Sequence, residues 1–141
     1  MTKQQIIHSI IENCNVRLKP SKVCAGVGVF TIIPIKKNTI VFSDVSKDDI
    51  YINWEEIQIV DDNVKEYLKI ICNSDDNGIY LSRTVNNINL SYFVNHSNDP
   101  NIMHDEEADV FITLRDINVD EELVCVYNKK DRIDFKKNKK D

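Results

Sequence analysis

No apolar run in this sequence approaches the roughly 20 residues that a helix needs to cross a bilayer. The apolar residues come instead in short runs such as GVFTII, NTIVF and DVFITL. Met1 to Gln5 leads into an amphipathic segment rather than a continuous apolar block, so no signal peptide is visible and a soluble, intracellular protein without membrane partners is expected. Cysteine is sparse and scattered. Cys14, Cys24, Cys72 and Cys125 lie 10, 48 and 53 positions apart, which excludes the paired CxxC spacing of a zinc site, and no metal is expected. Without secretion signals these cysteines read as small buried apolar residues rather than disulfide partners. Glycine is scarcer still. Two of the three fall at Gly26 and Gly28, and no helix with a third glycine follows, so the Rossmann fingerprint fails. A hydrolase also lacks support, because no nucleophile sits in a recognisable elbow and only His8 and His104 stand beside His96 as bases. No repeat or low-complexity stretch occurs outside a lysine-rich C-terminus.

Positive charge is missing from most of the chain. Residues 129–141, KKDRIDFKKNKKD, carry seven basic and three acidic groups, a net +4, so the −5 of the whole chain leaves −9 on residues 1–128. Direct nucleic-acid binding is disfavoured, since duplex recognition needs a clustered basic surface. A basic protein or peptide suits an acidic body instead. With 141 residues, 42% of them hydrophobic, there is material for one core. We therefore expect a single domain over 1–141, with an N-terminal helical extension at 1–15 and a basic tail at 129–141.

The apolar pattern is mostly that of strands. Ile6, Ile7, Ile10 and Ile11 follow helical spacing between Gln5 and Ile11, and Asn13 with Asn15 ends that helix. VRLKP, GVGVFTIIPI and NTIVF read as β, with Pro20 and Pro34 at turns or edges, and together suggest a meander. Val64, Tyr67, Leu68 and Ile71 behind Asp61 and Asp62 predict a short helix with acidic residues at its positive end. GIYLS, DVFITLR and ELVCVY predict later strands. In such short sheets the connections carry function, and three stand out. They are KVCAGVGVF (22–30), YFVNHSNDPN (92–101) and RDINVDEELVCVY (115–127). Singly they are weak: glycine lets backbone approach a ligand closely, but a GxG is as readily a hairpin turn, and Asn95, His96 and Ser97 as readily a turn with satisfied side chains.

In this order, the three segments resemble the SET-domain family of protein lysine methyltransferases. AGVGVF resembles the family's GxG opening, FVNHSNDPN its NHSxxPN signature and DEELVCVY its GEELxxxY ending, over about Val16 to Tyr127. The likeness is strongest to the short, free-standing viral and bacterial SET proteins. It implies a mainly β fold with short helices, β-clip-like small sheets and a knot-like threading of the C-terminal motifs. It also implies S-adenosylmethionine as cofactor, with Gly26, Val27 and Gly28 meeting it by backbone and Asn95 and His96 holding it from the other loop. Phe135 would cover its adenine. Tyr127 would be the catalytic tyrosine, and Tyr92, Cys125 and Tyr127 would line the substrate lysine channel. Cys125 stands where relatives carry the tyrosine or phenylalanine that limits methylation. Three departures are visible: Asp120 replaces the glycine before EEL, Ser91 or Tyr92 the arginine ahead of NHS, and Asn98 the cysteine after it. The flanking cysteine clusters that close the channel in many relatives are absent, and a second copy in a homodimer could supply the wall. The expected activity is lysine N-methylation of a basic protein, a histone tail among the candidates. The alternatives are an inactive SET-like peptide-binding module and an unrelated β-rich interaction domain. Richness in isoleucine, asparagine and lysine suits an AT-rich genome, viral, bacterial or protozoan. The expected compartment is then the host nucleus for a viral or effector protein and the cytoplasm otherwise.

Overall fold

The structure, a computed structural model, describes residues 1–127. Helix α1 spans Lys3–Asn13. Thr2 caps it reciprocally with Gln5: the Gln5 amide donates to Thr2 Oγ1 at 3.2 Å and the Thr2 amide to Gln5 Oε1 at 2.8 Å. The isoleucine spacing predicts this helix correctly, yet Ile6, Ile7, Ile10 and Ile11 remain between 37% and 72% exposed and join no core. Cap and internal hydrogen bonds define the element, not a buried stripe.

Strands β1 (Val16–Pro20) and β2 (Val27–Thr31) form an antiparallel hairpin, with Leu18 opposite Val29. The expected meander stops there. Strand β3 (Ile40–Ser43) leaves the hairpin, because Asn38 turns the chain at φ 63° and the β3 backbone finds its partner in a strand formed about 70 residues later. Strand β4 (Ile50–Asn53) leads through a short 3-10 helix (Trp54–Ile57) into α2 (Asp62–Ile71). Asp61 caps α2 by accepting from the Asn63 amide at 2.8 Å. Asp62 in its first turn and Lys69 in its last complement the helix dipole. Leu68 and Ile71 are buried, whereas Val64 and Tyr67, on the same apolar spacing, are nearly half exposed.

Strands β5 (Asn73–Ser74) and β6 (Gly78–Leu81) follow, then a second 3-10 helix (Leu90–Phe93), β7 (Asn95–His96), β8 (Ile102–Asp105), β9 (Val110–Thr113) and β10 (Glu122–Cys125). Among the described residues, three small sheets result, in the orders β1-β2-β10-β7, β3-β9-β8 and β4-β6-β5. Among these strands every pairing is antiparallel except β7 with β10. One core gathers Val29, Ile35, Val94, Ile102, Ile117 and Leu123, between the first two sheets. A second collects Leu68, Ile71, Cys72 and Ile79 under α2, and Phe93 packs against both. Cys72 and Cys125 are buried as the sequence suggests, but Cys14 and Cys24 are exposed, because one ends α1 and the other sits on the β1–β2 loop.

Asp109 ties the β3–β4 loop to the β8–β9 turn. It sits in the tight β8–β9 turn at φ 54°, a left-handed geometry that Asp and Asn tolerate better than most side chains. Its carboxylate accepts from the Ser46 amide and hydroxyl, the Lys47 amide at 2.7 Å and His104 Nε2 at 3.0 Å. Burial pushes this carboxyl up, but the bonds from Ser46, His104 and Lys47 outweigh it and bring the pKa from 3.8 down to about 2. A depressed carboxylate stabilises the fold above the unfolded pKa and loses that contribution as pH falls through the folded one. Asp109→Asn, which keeps shape and turn geometry, should therefore cost about 2 kcal/mol at pH 7 by urea unfolding. The gap between mutant and parent should close between pH 4 and pH 2. A gap that persists at pH 2 would show that the carboxylate's charge is not its source.

Candidate functional site

Strand β10 is where the three sequence segments meet. Glu122 and Leu123 pair with Phe30 and Val29 of β2, while Val124 and Cys125 pair in parallel with Asn95 and His96 of β7. A two-residue strand cannot hold such a position by its ladder alone. Asn101, 2% exposed, completes it: its Oδ1 accepts from the Val124 amide and its Nδ2 donates to the Glu122 carbonyl, both at 2.8 Å. Its own amide donates to the Val124 carbonyl at 3.1 Å. Pro100 before it is buried, and fixes the backbone that delivers this side chain.

The glycine-bearing loop is fastened from the other side of β10. Asn95 Nδ2 donates to the Val27 carbonyl at 2.8 Å and lies 3.2 Å from both Ser21 Oγ and Glu122 Oε2. The acceptors around it fix the amide's orientation, and its Oδ1 has no hydrogen-bond partner among the described residues. At Gly28 an added Cβ would collide with the Glu122 carboxylate and lie 3.3 Å from Asn95 Nδ2. The missing Cβ of this glycine is the space that the Glu122 carboxylate occupies, which leaves its backbone as the only part that could meet a ligand, whereas a Cβ at Gly26 would meet nothing nearer than Cys24 Sγ at 3.8 Å.

His96 and Tyr127 form the opposite end. His96 Nδ1 accepts from the Tyr127 amide at 3.1 Å, which makes Nε2 the protonated nitrogen, and that nitrogen lies 3.1 Å from Asn98 Oδ1. Both ring nitrogens are used within the chain. The Tyr127 ring meets the imidazole edge-on at 5.4 Å, and its hydroxyl donates to the Val94 carbonyl at 2.7 Å. Burial, with Cys125 and Cys24 nearby, pushes this phenol up to about 12. A cavity of about 610 Å³ opens beside it. Tyr92, Cys125 and Tyr127 all line it, as do Asp49, His104 and Glu106 from the β3–β4 loop and the β8–β9 hairpin. Lys69 also borders the cavity, but its ammonium lies 3.0 Å from Glu66 Oε1 and 5.7 Å from the Trp54 ring centre.

A sequence profile of the SET domain matches residues 26–128, from the glycine loop through the tyrosine. The chain belongs to the SET domain family. Its fold resembles that of a candidate histone methyltransferase from Plasmodium falciparum, at 21% identity and a TM-score of 0.50, covering 82% of this chain and 94% of the other. A humanized mutant of the Chaetomium thermophilum Polycomb Repressive Complex 2, bound to an inhibitor, matches at 25% identity and a TM-score of 0.51. That match covers 80% of this chain and 15% of the other. No curated protein matches the chain.

Within this SET domain, one departure from the family pattern has a local cause. Asp120 adopts φ 60°, a left-handed turn where glycine is the usual solution, and its carboxylate pairs with Lys19 across the sheet. Of the site residues expected from sequence, Gly28, Val27 and Asn95 come together around Glu122, His96 and Tyr127 touch, and Tyr92 and Cys125 share the cavity with Tyr127. Phe135 lies outside the described residues. Ser21, Glu122 and Asn101 were not foreseen as site residues. The last two stand inside the quoted EEL and NHSNDPN segments, so their signal was position within a motif. Asn101→Ala would strand the Val124 amide and the Glu122 carbonyl in the interior, and should cost on the order of 3 kcal/mol in denaturant unfolding. A loss below about 1 kcal/mol would show that β10 does not depend on this clamp.

Proposed function

We propose that this SET domain is an S-adenosylmethionine-dependent protein lysine N-methyltransferase acting on basic protein segments, histone tails included. The observation that carries the proposal is the convergence of Tyr92, Cys125 and Tyr127 on one cavity, with Tyr127 joined through His96 to the strand that holds the glycine loop. The residues fit the cofactor. Asn95 Oδ1 has no protein partner among those described and can accept from an ammonium, and the backbone at Gly26 is open to a close approach. Gly26, Val27, Gly28, Asn95 and His96 would hold it. When bound, it supplies a methyl group on a positively charged sulfur.

The residues of the chain supply position and electrostatics. A lysine amine with a pKa near 10.4 costs on the order of 4 kcal/mol to deprotonate at neutral pH. Burial in the cavity lowers that cost by disfavouring the charged form. Tyr127 does not act as the base: its proton is held on the Val94 carbonyl and its phenol titrates at about 12. With that proton so committed, the Tyr127 oxygen keeps lone pairs with which it would orient the amine by accepting from it. Asp49 and Glu106 draw a cationic side chain in. Burial, against a hydrogen bond from Ser82, pushes the Asp49 carboxyl up, and its Oδ1 is buried without a hydrogen-bond partner among the described residues, so an entering cation would favour its charged form. The acidic body favours the same class of substrate at longer range.

Radiolabelled cofactor offered to histones and to a cell lysate, with the modified residue mapped by mass spectrometry, tests the proposal. Calorimetric binding without transfer to any protein would favour a peptide-binding module. Tyr127→Phe should retain the cofactor while turnover falls on the order of tenfold, the loss of about one hydrogen bond. Unchanged turnover would remove the hydroxyl from the mechanism. Cys125, 6% exposed and on the cavity wall, is smaller than an aromatic residue and leaves room for a methylated amine to turn. The native enzyme should thus proceed to di- or trimethyl-lysine, and Cys125→Tyr should shift products to monomethyl-lysine. Should the tyrosine only overpack the core, the melt falls by about 1–3 kcal/mol and the product ratio stays the same.

A further inference from the structure

We propose that Glu122 is a positioning residue that presets the Ser21–Gly28 loop for the cofactor, an inference that rests on the methyltransferase reading above. Residues 22–27 are exposed, and apart from Lys22 over the Phe30 ring at 5.7 Å the loop has little apolar anchorage. Its shape depends on polar bonds, and these converge on one carboxylate. Glu122 Oε1 accepts from the Lys22 amide at 2.7 Å, and Oε2 accepts from the Ser21 hydroxyl at 2.8 Å with Asn95 Nδ2 at 3.2 Å. Ser21 Oγ in turn accepts from the Val23 and Cys24 amides at 3.0 and 3.1 Å. Its single proton therefore has one place to go, the Glu122 carboxylate.

Every group facing this side chain is a donor, so its position requires an acceptor with no hydrogen of its own, which only an ionised carboxylate provides. An amide of the same shape would turn its NH2 toward either the Lys22 amide or the Ser21 hydroxyl and Asn95. At 8% exposure, Glu122 leaves little access for water to repair that mismatch. Gly28 completes the arrangement, because its missing Cβ is the space the carboxylate occupies. The Ser21 amide closes the loop on the Gly26 carbonyl at 2.8 Å. Glu122 thus fixes the loop from beneath without lining the cavity beside Tyr127.

The test measures S-adenosylmethionine binding to the full chain by calorimetry for the native protein, Glu122→Gln and Ser21→Ala. Ser21→Ala removes the same relay while leaving every residue of β10 in place, and so decides the matter should the glutamine variant fail to fold. Both variants should bind at least tenfold more weakly, Glu122→Gln the more severely. In the ligand-free protein, hydrogen exchange at the Lys22, Val23 and Cys24 amides should accelerate while that at Leu123 and Val124 stays native. Once saturated with cofactor, Ser21→Ala should recover native turnover, a rise in KM without a fall in kcat. Native affinity in the variants, or loosening of β10 equal to that of the loop, overturns the positioning role alone. No binding by the native protein overturns the methyltransferase reading and this inference with it.

Discussion

Four residues of backbone, Glu122–Cys125, carry obligations on both sides at once: β2 antiparallel on one edge and β7 parallel on the other. A parallel neighbour cannot be delivered by a tight turn, so the chain must travel from His96 through β8 and β9 before β10 can lie beside β7. Two-residue β7 makes only a short ladder. The Asn101 side chain compensates by imitating a peptide group, giving and receiving a hydrogen bond with β10 where backbone alone would leave both unpaired. Loss of that clamp would release not one contact but the alignment of everything β10 presents.

What β10 and its neighbours present is a division of labour between a carboxylate and a phenol. Glu122, surrounded by donors, serves as a fixed acceptor for the loop. Tyr127, its proton given to Val94 and its ionisation moved to about 12, is neutral throughout the physiological range. A carboxylate beside the amine would hold it as an ammonium, because an opposite charge favours the protonated form. The carboxylates on the cavity, Asp49 and Glu106, come from loops other than the strand that leads to Tyr127. Under the proposed activity, attraction of a cation and release of its proton are opposed requirements, and they would fall to side chains from different elements.

The parts of the fold legible in the sequence are those where local chemistry and final contacts agree. Asp61 and Asp62 ahead of an apolar spacing gave α2, and VRLKP with VGVF gave the β1–β2 hairpin, since both depend on near neighbours in the chain. Strand β3 was legible as a strand but not in its partnership, because pairing with β9 is decided by a turn at Asn38 and a core assembled later. Strands β5 and β7 have two residues each, too few for any alternation to register. The three site segments were visible through their unusual order of small and polar residues. The purpose of Gly28 was not, since nothing in GVG says that the group filling its space arrives from Glu122, 94 positions on. The exposure of Cys24 followed from the same loop, which is held by hydrogen bonds to Ser21 rather than by burial.

The density of the EELVCVY segment has its origin in strand alternation combined with backbone use. Glu121 turns outward to Arg115, the Asn118 amide and Asn101, and the Arg115 bond foremost holds its carboxyl below the ordinary range. Glu122 turns to the glycine loop, Leu123 to the core, and Val124 spends its amide on Asn101 and its register on Asn95. Cys125, Val126 and Tyr127, at and beyond the end of β10, then line the cavity. From Glu121 to Leu123 the side chains face different partners, so an insertion of one residue there would exchange the core face for the loop face. A segment so committed cannot shift to suit a substrate. Under the proposed activity, adaptation to different substrates would instead fall to cavity walls that β10 does not build, among them the β3–β4 loop, the end of α2 and the β8–β9 hairpin, which contribute Asp49, Lys69 and Glu106.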